Sequence, residues 1–548
     1  MAELFQQRAI SEWTGLLGAA YVICDQNHRA EAERATFHTS QKIPVILRPQ
    51  DREQVCQVLR IANHYGIPLY PVSSGKNWGY GSRVPAVTAC ALLDLSRLDQ
   101  IVDFSEKLGY VTVQPGVTQK ALFAFLKHKK SKLWMDATGS SPDCSLIGNA
   151  MERGFGHTPY GDHFSYVCGL EVVLPSGEVV ETGFAGLPGS RTGPVYRWGM
   201  GPSLDGLFSQ SNLGIVTRMT VWMMPAPERF QAFFFQCDSQ HGLARVIDAL
   251  RPLRLDGTLR SAVHIGNHYK VMGGIQQFPE GEPKPLTLER MKVFQRELKI
   301  SRWSGSGALY GTRAQVKEQR RLIRRALSGV TERVRFLDDR MIRMASRFTR
   351  PYKLIAGLDL RATLELVRPV YGLLKGVPTP KTLGSAYWRK RTPIPADPNP
   401  DRDGCGLLWC APVAPLEGQE AENLNAIAER VLLAHGFEPM ISITLLTERS
   451  LACVISITYD RDIPGEDDRA MACHVDLQQQ LERDGYYSYR LGIASMAVQG
   501  ARGAYTELLA NIKRALDPNS ILAPGRYLPA EAVPVAEEEP PLRVGVAS

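Results

Sequence analysis

A strand, a helix and a second strand run directly into a glycine-rich loop between residues 44 and 85, and no other part of the chain limits its fold as narrowly. PVILRP opens the pattern, Val55, Leu59 and Ile61 give the next segment a helical apolar face, and IPLYPVSSG returns to extended chain. In the loop, PVSSGKNWGYGSRVP at 71–85, the small residues Ser73, Ser74, Gly75, Gly79 and Gly81 let backbone N–H groups approach phosphate oxygens. By itself such a loop is more often an ordinary turn. It is neither GxGxxG nor GxxxxGK[ST], so a plain nucleotide-binding dehydrogenase is disfavoured.

The runs TACALLDLS, YVTVQPGVT and LEVVLPSGEVVETG continue this half as several strands broken by Gly, Pro or Asp. From about residue 226 longer amphipathic helices, such as VKEQRRLIRRAL and EAENLNAIAERVLLAHG, alternate with strand-like FQAFFFQ and LACVISITYD. A chain of 548 residues exceeds one compact core, and these patterns predict an α+β protein of two domains. RTPIPADPNPDRDG at 391–404 reads as a loop, and the tail after Tyr527 as disordered.

Residues 313–350 carry twelve basic and four acidic side chains, as large an excess as the +8 of the whole chain. That reads first as a solvated helix face; an acidic partner is the alternative. Neither aromatic interleaving nor zinc spacing points to nucleic acid, and no metal site is expected. The ten cysteines form no CxxC pair, which predicts reduced thiols and a cytoplasmic protein. The apolar run Leu16 to Ile23 is too short to span a bilayer and lacks a basic leader, so neither a membrane span nor a targeting segment is expected.

Two further segments are rich in small and polar residues: GSSPDCSLIGNAMERGFGHTPYGDHF at 139–164 and SLDGLFSQSNLGIVTRMTVWMMP at 203–225. With the 71–85 loop, LLWCAPVAP at 407–415 and the closing ALDPNSILAPGRY at 515–527, the chain resembles the FAD-linked oxidases of the vanillyl-alcohol oxidase and para-cresol methylhydroxylase family. The resemblance implies a PCMH-type FAD-binding domain at 1–240, completed by 486–530, a cap domain at 241–485 and a tail at 531–548. By matching positions, Ser73, Ser74, Gly75, Lys76 and Asn77 would hold the pyrophosphate. Ser141, Cys144, Ser145, Gly148, Asn149, Gly154 and Ile215 would line the rest of FAD.

Family members that oxidise para-substituted phenols bind the phenolic oxygen with two tyrosines and an arginine, and Tyr80, Tyr489 and Arg490 match those positions. A guanidinium and two hydroxyl donors favour the phenolate, whose electrons then ease hydride departure from the para benzylic carbon through a quinone methide. Outside this context YSYRLG would read as a half-buried strand. The resemblance also implies dioxygen or a redox protein as electron acceptor and a homodimer.

Three positions depart from the family pattern. Leu407 stands where histidyl-linked members carry the flavin-bearing His, which predicts non-covalent FAD, although Cys144 lies where bicovalent relatives place a cysteinyl link. Ser140 occupies the place of the catalytic carboxylate, leaving Asp143, three residues on, either as its replacement or as a turn former. His157 replaces the usual Tyr of GYTPYGDH and adds a titratable group beside the pocket, as a base or as a loop hydrogen-bonder. Oxidation of a non-phenolic alcohol or natural product is therefore the alternative reaction, and a docking subunit that passes electrons to a cytochrome-like partner the alternative role.

Overall fold

The computed structural model describes residues 2–239, 241–347, 360–496 and 503–528; the expected tail at 531–548 lies outside them. Residues 44–94 fold as the sequence pattern predicts. Asp51 caps the helix Arg52–Tyr65, and Gly66, at φ +61°, ends it in the left-handed region that glycine adopts without strain. Strands Ile46–Leu47 and Leu69–Val72 then flank Ala91–Asp94, both in parallel register.

A five-stranded antiparallel sheet follows, in the order Ile101–Ser105, Tyr110–Val113, Ile215–Trp222, Val167–Val173, Val179–Glu181. The C-terminal segment returns to this half of the molecule: Leu69 N–H donates to the Ile521 carbonyl at 2.7 Å and Ala523 N–H to that of Leu69 at 2.8 Å. Its turn is fixed by a buried pair. Lys513 donates to Asp517 at 2.6 Å and to the carbonyls of Asn212 and Leu522, and Asp517 accepts from the N–H groups of Ile521 and Leu522.

The middle of the chain builds a nine-stranded antiparallel sheet. It begins with Arg229–Cys237, inside the stretch 1–240 expected of the flavin domain, and ends with Tyr487–Ser488. Helices Gly242–Leu255, Arg313–Leu327, Gly418–Ala434 and Glu466–Arg483 cover one face, burying Phe233, Ile265, Ile443 and Ile455 among their apolar stripes. Because side chains alternate along a strand, the cross-strand register puts the intervening residues on the opposite face. Leu407 and Trp409, Ser456, Ser442 and Thr444, His264, Ser306, Phe234 and Arg335 lie there in successive strands. That face roofs the site.

Thr36 ties the two halves together. Its hydroxyl donates to the Leu407 carbonyl at 2.8 Å and accepts from Gly79 N–H at 3.0 Å, while its carbonyl accepts from Leu407 N–H. Among the described residues no helix is long and apolar enough to cross a membrane, and none of the side chains form a metal-ligating cluster.

Candidate active site

A cavity of about 2230 Å³ lies between the two halves, floored by the 71–82, 138–157 and 208–216 segments and roofed by the polar face of the large sheet. Its volume exceeds that of an ordinary small-ligand pocket several-fold, as a dinucleotide together with a substrate requires.

The loop from Ser73 to Asn77 borders this cavity. Among the described residues the backbone N–H groups of Ser74, Gly75, Lys76 and Asn77 donate to no acceptor in the chain, and Lys76 forms no close ion pair. Unpaired donors of this kind are costly unless an anion meets them, so the loop fits a pyrophosphate. Gly75 sits at φ +68°, where a Cβ would meet the Arg83 side chain at 2.6 Å, and a Cβ on Gly148 would meet Ser73 Oγ at 2.4 Å. The backbone must come this close. Ser145 caps the short helix Leu146–Met151 by accepting from Gly148 N–H at 3.0 Å, and its own hydroxyl donates to the Pro115 carbonyl at 2.6 Å.

Cys144, Ser145, Gly148, Asn149, Gly154 and Ile215 all line the cavity, whereas Ser141 is buried beneath it. Asp143, expected beside the flavin as a replacement carboxylate, is exposed and outside the cavity; its N–H donates to Ser141 Oγ at 3.1 Å, which makes it a turn former. Ser140 faces the cavity in its place and accepts from the Cys144 thiol at 3.2 Å.

Tyr80, Tyr489 and Arg490 come together at one end. The Arg490 guanidinium lies 4.5 Å from the Tyr80 ring centre, and Nη2 donates to Asn77 Oδ1 at 2.5 Å. Burial disfavours the Arg490 charge, but Glu152, 3.5 Å from Nε, more than restores it. Burial also raises both tyrosine hydroxyls above their usual range, so they remain protonated donors. Glu152 is shared: it accepts from Arg526 and, at 2.8 Å, from the Tyr527 hydroxyl. Two guanidiniums against one carboxylate leave a surplus positive charge at this end of the cavity.

Trp409 meets Tyr80 edge to face at 5.5 Å, and Phe155 stands between Tyr489 and His264, at 5.8 and 6.3 Å. His157 reaches the cavity and packs against His264 with ring centres 4.1 Å apart and ring planes tilted by 31°. Burial lowers both imidazoles, which are neutral at pH 7. In that form His157 Nδ1–H donates to the Ala137 carbonyl at 3.1 Å, leaving Nε2 as an acceptor. His264 Nε2–H donates to the Gly156 carbonyl and Nδ1 accepts from Thr444, so its ring is fully engaged. Asp136 holds this loop, accepting from Thr158 N–H at 2.6 Å and from His163 Nε2 at 2.6 Å, while His163 Nδ1 donates to Asn149 Oδ1. Glu152 and Asp136 were visible as residues of the quoted motif and its flank. His264 and Lys270, in HIGNHYK, carry no motif signal.

A dinucleotide trough joined to an aromatic pocket of tyrosines and a buried arginine defines a flavin-dependent oxidoreductase. Comparison with known proteins agrees. Residues 43–183 match the FAD binding domain family. Over 95% of this chain and 97% of the relative, it is 42% identical to 1'-carboxy-chondrochloren decarboxylase of Chondromyces crocatus. It is 32% identical to the flavoprotein subunit of the hydroxylating 4-cresol dehydrogenase of Pseudomonas putida, over 95% of each chain. A solved structure of p-cresol methylhydroxylase with substrate bound superposes with a TM-score of 0.86 at 30% identity, over 96% of this chain and 98% of that one. The chain belongs to the para-cresol methylhydroxylase family of FAD-dependent oxidoreductases.

Proposed function

We propose that this enzyme removes a hydride from the benzylic carbon of a para-substituted phenol through a quinone methide. The observation that carries the reading is the buried Arg490 guanidinium, set against Tyr80 and beside Tyr489, with Glu152 leaving one positive charge in surplus. A phenol bound there loses its proton readily, because a nearby cation and two hydroxyl donors favour its anion. FAD, when bound, accepts the hydride with its two electrons. The 73–77 loop and the 144–154 segment are suited to hold it, and Leu407 supports non-covalent binding. Ten unpaired cysteines support a cytoplasmic enzyme. A homodimer passing electrons to dioxygen or a redox protein completes the proposal; the relative described as a flavoprotein subunit supports the redox protein.

One observation favours a second fate for the quinone methide. Among the described residues Glu152 is the one carboxylate lining the cavity, and it is committed to two arginines, so activation of water falls to His157 Nε2 alone. A substrate with a carboxylate on the carbon next to the benzylic one needs no such base. Its C–CO2 bond breaks, the electron pair forms a new C=C bond that restores the aromatic ring, and the products are carbon dioxide and a vinyl phenolate. The name of the 42% identical decarboxylase supports this branch.

The test is anaerobic titration of the holoenzyme with 4-alkylphenols. We expect the flavin to bleach, and Arg490→Ala to weaken phenol binding by roughly two orders of magnitude with FAD content unchanged. Bleaching by non-phenolic alcohols but not by phenols would overturn the reading.

A further inference from the structure

The helix His268–Ile275 lies on the polar face of the large sheet, capped by Asn267, whose Oδ1 accepts from Lys270 N–H at 2.9 Å. Lys270 and Ser385 both border the cavity, and the Lys270 ammonium donates to Ser385 Oγ at 3.2 Å and to Ser456 Oγ, on the same sheet face, at 3.5 Å. Two hydroxyls occupy two of its three N–H donors.

The charge itself has no partner. Among the described residues no carboxylate lies within ion-pair distance of Lys270, although the other buried lysines do pair: Lys390 with Asp460 and Lys513 with Asp517. Burial alone acts on Lys270 and lowers its ammonium to about 8, so the group is still charged at pH 7. A buried cation with a spare donor is costly unless an anion meets it.

Its position fixes which part of a substrate it faces. Ser456 is the cross-strand neighbour of Trp409, the residue that packs against Tyr80, and adjacent strands are about 4.8 Å apart. Lys270 therefore stands one to two strands beyond the aromatic pocket, while Arg490 holds the opposite, phenolic end. We infer that Lys270, with Ser385 and Ser456, is a subsite for a carboxylate on the side chain of the phenolic substrate, so that the preferred substrates are para-hydroxyphenyl acids. One ammonium with one free donor matches a monoanion. This inference rests on the phenol reading above, because the phenol site sets the other end of the molecule.

The test compares 3-(4-hydroxyphenyl)propanoate with 4-propylphenol, which has the same carbon skeleton without the two carboxylate oxygens and their charge. Dissociation constants come from flavin difference spectra of the holoenzyme, and reduction rates from anaerobic bleaching. We expect the wild-type protein to favour the acid roughly tenfold or more, and Lys270→Met to abolish that preference while binding 4-propylphenol as before. Lys270→Arg should retain it, and FAD content reports that both variants fold. An acid-to-alkyl ratio unchanged in Lys270→Met would overturn the subsite. Should neither phenol bind or bleach the wild-type flavin, the phenol reading fails and 3-phenylpropanoate becomes the probe. Binding lost in Lys270→Met then supports the subsite; binding equal in both proteins, or none in wild type, overturns it.

Discussion

Glu152 lies 3.5 Å from Arg490 Nε and simultaneously accepts from Arg526, so one buried carboxylate serves two guanidiniums that come from the distant C-terminal part of the chain. Replacing it by Gln leaves two buried cations facing a neutral amide. Losing one partner of such a network costs about 3–5 kcal/mol. We expect Glu152→Gln to lower the free energy of unfolding, read from urea titration, by an amount in that range. The doubled surplus charge should also make a bound phenol ionise at lower pH than in the wild type, read from its ultraviolet spectrum. Unchanged stability would remove Glu152 from the structural network.

Local chemistry was legible in the sequence where the backbone itself is the functional group. The 71–85 loop shows its small residues directly, and the structure finds its N–H groups unpaired. The resemblance carried Tyr80, Tyr489 and Arg490 to one place across more than four hundred residues, which no periodicity would reveal. What the sequence hid is what sheet register creates. His264, Ser306 and Thr444 share a cavity because antiparallel pairing puts alternate residues of separate strands on one face, and Lys270 joins them from the helix packed on that face. Asp143 takes the second of its two readings, the turn former, for a local reason: its backbone closes a turn that leaves it exposed, and no spacing rule distinguishes that aspartate from an active one.

Acid precipitation of the purified protein should leave FAD in the supernatant. Leu407 offers no nucleophile, and burial raises the Cys144 thiol above its usual range, so at pH 7 it is a protonated group whose hydrogen bond goes to Ser140. A thiol in that state attacks slowly. Cys144→Ser should therefore retain full FAD content and the same visible spectrum. A yellow pellet yielding a flavinylated peptide at Cys144 would contradict this.

Acid should destabilise the fold through His474, buried in the helix Glu466–Arg483 and lowered by burial to about 4. Between pH 6.5 and 4 the unfolded chain binds a proton that the folded one refuses, so stability falls as pH falls through this window. The loss is roughly 2 kcal/mol by pH 5. His474→Gln keeps a side-chain N–H and does not titrate, so its stability profile from pH 7 to 5 should be flatter by that amount, measured by urea unfolding. Parallel profiles for the two proteins would refute the assignment.

Asp401 has the opposite sign. It belongs to the loop 391–404 but accepts from Trp78 Nε1 at 3.0 Å and from Ser82 Oγ at 2.7 Å, which pins the glycine-rich loop against that distant segment. Burial outweighs these bonds and raises its carboxyl to about 6. Between pH 3.8 and 6 the folded state holds a proton that the unfolded state releases, so this residue's contribution to stability falls as pH rises through that window and stays low above it. The penalty at pH 7.5 is at most about 3 kcal/mol. Asparagine can accept from Trp78 and donate to Ser82, keeping both ties without the charge. We expect Asp401→Asn to gain stability over wild type at pH 7.5, with the gain shrinking as pH falls below 6. Asp401→Ala, which loses both ties, should instead weaken FAD binding, since the loop it anchors carries the unpaired N–H groups. A gain that persists undiminished at pH 4 would mean that the wild-type carboxylate is not strained by burial.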